Sequence, residues 1–231
     1  MKKVNFDDFA ENYDEIVKGQ TQFFSKDDKY FARYKIEIVS NYINFKPNTI
    51  LEFGCGIGRN MQFLREKFPD SKLFGTDISQ KSIEIAKSQN PYCEFFTLDD
   101  QKTDKSFYQF DLIFIAGVFH HIYPAERLIN IEKIKNLLSN NGCLFIFEHN
   151  PYNPITRKLV KECPFDKDDV LLTKSEMIKL LEKSNFKVDT AGYCLFVPPK
   201  FSYLFKLKKI LIGLSLGGQY FVKASKVLEC S

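Results

Sequence analysis

Acidic residues, glycines and histidines follow a series of short apolar segments, and these are the residues whose types and spacing could do chemistry. Glu52 lies inside the first segment, and the turn Gly54–Gly58 that follows has glycine at alternate positions. Glycine permits positive φ angles and lets a ligand approach the backbone closely. A strand, a glycine turn and a helix N-terminus together predict free N–H groups at a ligand site, with Glu52 pointing into it.

Further acids end the second and third apolar segments. Asp77 ends the second, and Asp99 and Asp100 follow the third. An acid about 20 residues after a glycine turn, at the end of a strand, can accept hydrogen bonds from ribose hydroxyls. Asp77 could instead only cap the next helix, but its register with the glycine turn favours the ribose interpretation. Asp100 could cap a helix or face solvent.

The three histidines of the chain follow the next two segments. His120 and His121 come just after the fourth, and His149 ends the fifth, directly after Glu148. Ligands bind at the carboxyl ends of strands in open α/β sheets, and imidazole has a pKa suited to a general base. We predict that one of these histidines is the base, with Glu148 behind them, although a lone histidine is usually structural and no spacing rule chooses among the three.

The elements that must position these residues are strands alternating with helices, which predicts an α/β fold with a doubly wound, mainly parallel sheet. Asn140–Gly142 is predicted to form a turn. Ser79 is expected to cap a helix over residues 80–88, and Thr173 with Glu176 forms a capping box. Strands are expected at residues 50–53, 73–77, 92–98, 110–116, 143–147, 186–197 and 219–227, the last of them at the edge of the sheet.

Composition excludes several classes of protein. The 231 residues are 44% hydrophobic and 27% charged, with a net charge of +4, which is ordinary for a globular protein and too mild to argue for nucleic acid. The six cysteines form no C-x-x-C pair, which favours reduced, buried thiols over disulfides or a zinc site, and no metal is expected. The N-terminus has no apolar signal-peptide core, so a cytoplasmic location is expected.

The glycine spacing identifies a family. Glu52-x-Gly54-x-Gly56-x-Gly58 departs from the G-x-G-x-x-G fingerprint of dinucleotide-binding proteins and resembles motif I of class I S-adenosylmethionine (SAM) methyltransferases. The stretch FDLIFIAGVFHHI resembles the strand-four motif of that family, and FDDFAENYDEI resembles the N-terminal cap of its small-molecule members of types 11 and 12. The resemblance covers residues 45–150 well. It implies a seven-stranded, Rossmann-like sheet whose last strand is antiparallel.

The same resemblance implies the cofactor and its contacts. SAM would donate the methyl group and leave as S-adenosylhomocysteine. Glu52 and the turn formed by Gly54, Cys55, Gly56 and Gly58 would hold the methionine end, and Asp77 the ribose. Ile78 and Asp99 would contact the adenine, and the carbonyl of Ala116 would lie near the amino group.

A single domain is expected, with a helical cap (1–46), a SAM-binding core (47–149), a substrate lid (150–172) and a C-terminal part of sheet and helices (173–231). Insertions after a strand's carboxyl end lie above the ligand crevice. Arg157 in the lid could pair with a carboxylate or phosphate. We therefore predict a small anionic or sugar-like acceptor, methylated on a hydroxyl oxygen. The predicted acceptor-binding residues are Tyr13, Glu148, Asn150, Tyr152 and Arg157.

Several alternatives stay open at this point. The enzyme could methylate nitrogen or carbon of a small molecule or a lipid, or the domain could bind SAM without catalysis. Asn150-Pro151-Tyr152 superficially resembles a motif of adenine methyltransferases, but no basic and aromatic stripe indicates nucleic acid. A short-chain reductase is not favoured, because it would need Tyr-x-x-x-Lys after the glycine turn, and the pair Tyr42 and Lys46 lies before it. Residues 201–216 could contact a membrane surface, although a packing helix is the favoured interpretation.

Overall fold

The computed structural model describes residues 4–22, 25, 27, 29–97, 109–166, 169–195 and 215–227. Seven strands form one sheet in the order β3-β2-β1-β4-β5-β7-β6. The first five strands pair in parallel, whereas β7 is antiparallel to both of its neighbours. The strands are β1 (Thr49–Phe53), β2 (Lys72–Asp77), β3 (Glu94–Thr97), β4 (Phe110–Ala116), β5 (Leu138–His149), β6 (Phe186–Cys194) and β7 (Gln219–Lys226).

Helices cover both faces of this sheet, which confirms the predicted doubly wound α/β class. The α-helices are α1 (Tyr13–Thr21), α2 (Tyr30–Tyr42), α3 (Met61–Lys67), α4 (Gln80–Gln89), α5 (Arg127–Leu137), α6 (Pro154–Glu162) and α7 (Lys174–Lys183). Short 3-10 helices occupy Phe6–Asp8, Phe119–His121 and Pro124–Glu126.

Alternate residues of each strand pack into two separate cores. In β1, Leu51 packs with α5 and α7, whereas Ile50 packs with α2, α3 and α4 on the opposite face. This follows from the period-2 direction of side chains along a strand. Because both faces are covered, the central strands β1 and β4 are largely apolar, and the acids Glu52, Asp77 and Glu148 lie at or near the carboxyl ends of β1, β2 and β5.

The predicted caps fix where two helices begin. The Ser79 hydroxyl accepts a hydrogen bond from the Ser82 N–H at 3.0 Å and so starts α4 directly after β2. Thr173 and Glu176 form the predicted capping box at the start of α7. Such caps are each worth about 1 kcal/mol.

Two sequence predictions about the sheet are wrong. Asn140–Gly142 is not a turn but part of β5, and its extra residues are absorbed where the register changes from Phe110–Leu138 to Leu112–Cys143. Irregularities of this kind accommodate turn-forming residues inside a strand. In addition, β7 is not an edge strand but lies between β5 and β6 and pairs with both. The alternation of its side chains indicates which faces of the sheet they occupy and does not indicate the lateral position of the strand.

Two predictions concern parts of the chain outside the described residues. The predicted adenine contact of Asp99, with the neighbouring Asp100, lies outside the described residues. The segment 201–216, which could contact a membrane surface, also lies outside them except for residues 215 and 216. In the ranges that the structure does describe, no helix has both the length and the apolar character needed to cross a bilayer.

Candidate active site

The glycine turn connects β1 to α3 and leaves space for a ligand at the carboxyl edge of the sheet. Gly54 and Gly56 have φ angles of +74° and +51°. A Cβ on Gly54 would lie 2.4 Å from Val118 Cγ2, so this glycine allows the loop after β4 to approach. A Cβ on Gly56 would meet nothing within 4 Å. Gly56 therefore borders open space, from which a ligand can approach the backbone of the turn.

The prediction that this turn offers free N–H groups is wrong for most of its residues. The N–H groups of Gly54 and Cys55 both donate to the Thr76 carbonyl, at 2.7 and 3.0 Å. The Gly56 N–H donates to Asp77 Oδ2 at 2.8 Å. These bonds hold the turn against β2, so polar contacts with a ligand must come largely from side chains.

Glu52 provides such a contact. Its side chain is buried, and Oε1 accepts a hydrogen bond from Asn60 Nδ2 at 2.5 Å. Oε2 is also buried and has no hydrogen-bond partner among the described residues. Burial raises the pKa of Glu52 to about 8, although Asn60 and the nearby Lys35 act in the opposite direction. A buried carboxylate oxygen without a partner is suited to a cationic amino group of a ligand.

Asp77 lies at the end of β2, next to the same turn. Its Oδ2 accepts the Gly56 N–H, and its Oδ1 accepts the Ser79 N–H at 2.9 Å. Burial raises the pKa of Asp77. Each carboxylate oxygen keeps a further lone pair. The neighbouring Ile78 has an exposed fraction of 57%, so an apolar surface lies beside this acid.

The N-terminal segment lies across this edge, as the cap interpretation requires. Asp7 Oδ1 accepts hydrogen bonds from the Ser79 hydroxyl at 2.6 Å and from the Lys81 N–H at 3.2 Å. The Phe6 ring contacts His121 at 4.9 Å between centroids, and Tyr13 stacks on Phe165 at 5.4 Å. The segment therefore spans from the start of α4 to the residues that follow α6.

Glu148 anchors the turn after β4. Its Oε1 accepts the N–H groups of Val118 and Phe119 at 2.8 and 2.6 Å, and its Oε2 lies 2.7 Å from His120 Nδ1. Burial alone would raise its pKa, but His120 and these N–H groups lower it to about 2. Burial lowers the pKa of His120, yet Glu148 and Asp166 more than offset this effect and raise it to about 10.

The three predicted histidines meet at one place. The His120 ring lies 4.0 Å from His121 and 4.9 Å from His149 between centroids. His121 lies between two acids of the segment after α6, with Nε2 3.5 Å from Asp166 Oδ1 and Nδ1 against Asp169. The imidazole of His149 forms no hydrogen bond or ion pair with the described residues, while its backbone pairs with Gln219 of β7. Burial lowers the pKa of His149 to about 4.

Four charged residues at the site were not predicted from the sequence: Lys35, Arg127, Asp166 and Asp169. Arg127 is buried, and its Nε donates to the carbonyls of Phe119 and Ile122 at 3.1 and 3.0 Å. Its Nη2 donates to the Val170 carbonyl, so Arg127 joins the turn after β4 to the lid. No local pattern marks these residues, because each is one charged residue in a helix or loop whose partners lie far along the chain.

The remaining predicted acceptor residues lie apart from this cluster or have structural partners. The Asn150 amide donates to the carbonyls of Ser215 and Gly217 at 2.9 and 2.7 Å, and its oxygen accepts the Tyr152 N–H. Tyr152 has an exposed fraction of 63%, and Arg157 is exposed on α6. Acceptor binding by Tyr152 and Arg157 stays a prediction, as do the cofactor contacts of Ala116, which ends β4 beside Gly54.

Comparison with known proteins agrees with this geometry. A family model described as "Methyltransferase domain" matches residues 51–144, which contain the glycine turn, Asp77 and the two adjacent histidines. Residues 51–144 are therefore similar to a methyltransferase domain. The chain is 27% identical over 215 residues to malonyl-[acyl-carrier protein] O-methyltransferase 1 of Ilyobacter polytropus, covering 91% of the chain and 75% of the relative.

Two solved structures share the fold of this chain. A SAM-dependent methyltransferase of Thermotoga maritima, described as a possible histamine N-methyltransferase, has a TM-score of 0.69 and 19% identity, with 96% of this chain and 98% of that chain covered. The plantazolicin methyltransferase BpumL in complex with SAH has a TM-score of 0.64 and 19% identity, with 95% and 90% covered. In four other curated relatives, the match spans only 41% to 62% of the relative's length.

Proposed function

We propose that this chain binds SAM along the carboxyl ends of β1 and β2 and transfers its methyl group to a small polar acceptor, on a hydroxyl oxygen. The observation that carries the proposal is the buried Glu52 Oε2 without a partner, beside the open face of Gly56. The α-amino group of SAM is a cationic hydrogen-bond donor, and Glu52 Oε2 has no donor of its own among the described residues. Binding of this cation would favour the ionised form of Glu52, whose pKa burial raises to about 8, and would offset the desolvation of that charge.

The other cofactor contacts follow along the sheet edge. Asp77 would accept hydrogen bonds from the ribose hydroxyls with its remaining lone pairs. The exposed Ile78 would be covered by the adenine, which removes apolar surface from water. Asp99 is proposed for the adenine amino group from the family resemblance alone. The product complex of BpumL supports this choice of cofactor.

The chemistry at the other end needs alignment and a proton acceptor. The sulfonium of SAM supplies a reactive methyl group, so holding the acceptor oxygen in line with it provides much of the rate. We propose His149 as the base, because its ring nitrogens carry no hydrogen bond or ion pair with the described residues and its lowered pKa of about 4 leaves the ring unprotonated, so that it can accept a proton. The nitrogens of His120 and His121 face Glu148, Asp166 and Asp169 instead. Those two histidines would position the acceptor side.

The acceptor is proposed to be a hydroxyl-bearing small molecule, anionic or sugar-like. A relative named as an O-methyltransferase supports oxygen as the nucleophile, whereas a structural neighbour described as a possible N-methyltransferase makes nitrogen the alternative. Screening pools of acceptors with SAM labelled in the methyl group, followed by identification of the labelled product, separates these outcomes. A labelled amine in place of an ether or ester would overturn the oxygen assignment.

Calorimetric titration with SAM tests the cofactor site without knowledge of the acceptor. Asp77→Ala should weaken binding about 100-fold, because it removes charge-assisted hydrogen bonds and loosens the turn at Gly56. Asp70→Asn is a matched control, since Asp70 is exposed at the opposite edge of the sheet, before β2. Equal affinities for wild type and Asp77→Ala would contradict the ribose assignment, and no binding by wild type would contradict the proposed function.

A further inference from the structure

Four side chains outside the proposed cofactor contacts converge on one small volume. His120 and His121 come from the turn after β4, and Asp166 and Asp169 come from the segment after α6. One nitrogen or oxygen atom from each residue lies within 4.8 Å of the corresponding atoms of the other three. The side chains of Asp166 and Asp169 are only 9% and 3% exposed, so the two acids are shielded from solvent.

Hydrogen bonds do not account for this arrangement. Asp166 Oδ1 lies 3.5 Å from His121 Nε2 and 3.8 Å from His120 Nε2, and both distances are at or beyond the limit for a hydrogen bond. Asp166 Oδ1 is buried and has no hydrogen-bond partner among the described residues, whereas His121 Nδ1 and Asp169 Oδ2 lie against each other as an ion pair and have no other hydrogen-bond partner there. Buried polar atoms of this kind call for a partner, which can be an ion.

The spacing suits a cation that is shared by the four residues. Two ligands that are each about 2.1 Å from a tetrahedral ion lie about 3.4 Å apart, close to the 3.5 and 3.8 Å that separate Asp166 Oδ1 from the Nε2 atoms of His121 and His120. Asp169 Oδ2 lies against His121 Nδ1 and would have to turn from this nitrogen toward the ion to complete the set. Glu148 Oε2, 2.7 Å from His120 Nδ1, would fix the ring and direct Nε2 toward the ion. A carboxylate behind a ligating histidine is the usual support of such sites.

Charge favours a cation as well. Three carboxylates, those of Glu148, Asp166 and Asp169, surround the two imidazoles, so the cluster carries negative charge even if both imidazoles are protonated. The neighbouring Arg127 directs its guanidinium to backbone carbonyls. Buried charge without compensation is costly.

We propose that His120, His121, Asp166 and Asp169 bind one first-row divalent transition-metal ion. Two imidazoles with two carboxylates suit Zn²⁺ or Co²⁺ better than Mg²⁺ or Ca²⁺, which take oxygen ligands. The ion would join the turn after β4 to the segment after α6. It would thereby fix one wall of the acceptor side at the level of Phe6 and Tyr13.

Titration of the metal-free protein with Co²⁺ and Zn²⁺ tests this proposal. Wild type should bind one equivalent of Co²⁺ with visible absorption bands of a tetrahedral site, and Zn²⁺ should displace it. Asp166→Asn and Asp169→Asn should each weaken binding at least tenfold, whereas the exposed Asp70→Asn should bind as wild type does. Circular dichroism of each variant establishes that it is folded.

The result that overturns the site is a wild type without such a spectrum, or folded Asp166→Asn and Asp169→Asn variants that bind metal as tightly as wild type. The cluster would then be a network of ion pairs. If one of the two variants fails to fold, the metal affinity of the other variant and the number of Co²⁺ ions bound by wild type still test the site. Because SAM contacts neither acid in the proposed site, calorimetry with SAM on the metal-free protein separates failure of the metal site from failure of the proposed function.

Discussion

The cofactor end and the acceptor end of the candidate site are built from very different lengths of chain. Glu52, the glycine turn, Asp77 and Ser79 lie within two consecutive β–turn–α units. The acceptor end combines residues from the N-terminal segment, from the turn after β4, from the end of β5 and from the segment after α6. Local spacing therefore identifies the first, whereas only the folded chain assembles the second.

The two ends also differ in how their polar atoms are satisfied. At the cofactor end, one buried oxygen of Glu52 has no partner, and Asp77 keeps lone pairs available. At the acceptor end, Glu148 accepts three hydrogen bonds, and the acids of the lid face two imidazoles. Under the proposed function, the first end would receive the charge of the ligand's amino group, and the second would hold one wall of the acceptor site in place. Variants at each end should consequently fail in different ways.

The largest separation of the two ends is expected from His149→Gln. Loss of a general base lowers kcat by about 100-fold or more, whereas the affinity for SAM should stay within twofold of wild type. Stopped assays with labelled SAM and the acceptor found by screening, together with calorimetry, measure both quantities. Full turnover in this variant would remove His149 as the base, and His120→Gln and His121→Gln would then be compared in the same way.

Arg127→Met tests whether the acceptor end depends on distant supports. The variant leaves the carbonyls of Phe119, Ile122 and Val170 without their donor, which should cost about 2 kcal/mol of unfolding free energy. Urea denaturation measures the loss. Binding of SAM at a temperature where the variant is folded should change little, and a large loss of SAM affinity would show that the two ends are not separable.

Glu52→Gln should weaken SAM binding about tenfold, because a neutral amide replaces the partner of the ligand's amino group. The ligand-free variant should instead be more stable than wild type at alkaline pH. The folded-state pKa of Glu52 is raised from 4.5 to about 8, so ionisation opposes folding. The penalty is absent below about pH 4 and grows as the pH rises toward 8, reaching on the order of a few kcal/mol.

Thermal unfolding of Glu52→Gln and wild type at pH 5 and pH 9, without SAM, measures this difference. We expect the stability of the variant relative to wild type to increase with pH. A difference that is constant over this range would mean that Glu52 ionises in the folded protein as it does in the unfolded chain. Glu52 would then not be a buried carboxyl group whose ionisation costs stability until a ligand's cation pairs with it.

The smallest effect is expected from Arg157→Ala. An exposed guanidinium that contacts an anionic acceptor should contribute about threefold to the acceptor KM, with kcat unchanged. The neighbouring Lys158→Ala is the control, because Lys158 forms a surface pair with Glu162 at 3.8 Å. An unchanged KM in Arg157→Ala, or a preference of the enzyme for neutral acceptors, would contradict the anionic acceptor.

The sequence predicted most of the fold because its signals are local. The cap at Ser79, the capping box at Thr173 and the strand that ends at Asp77 each depend on neighbouring residues, and the structure has all three. The predicted turn at Asn140–Gly142 was wrong, because turn-forming residues alone do not show that a register shift in the pairing with β4 can accommodate them within a strand. The contacts of Asp166, Asp169 and Arg127 were not predictable, because their partners lie on other elements.

The position of β7 affects how this protein is made as well as how it is held together. During synthesis, β5 and β6 emerge before β7, yet neither pairs with the other, because β7 lies between them. The outer edge of β5 must therefore wait for a strand that begins at Gln219. Until then a ribosome-bound chain exposes an open, apolar strand edge, which is a site for aggregation and a reason for slow final closure of the sheet.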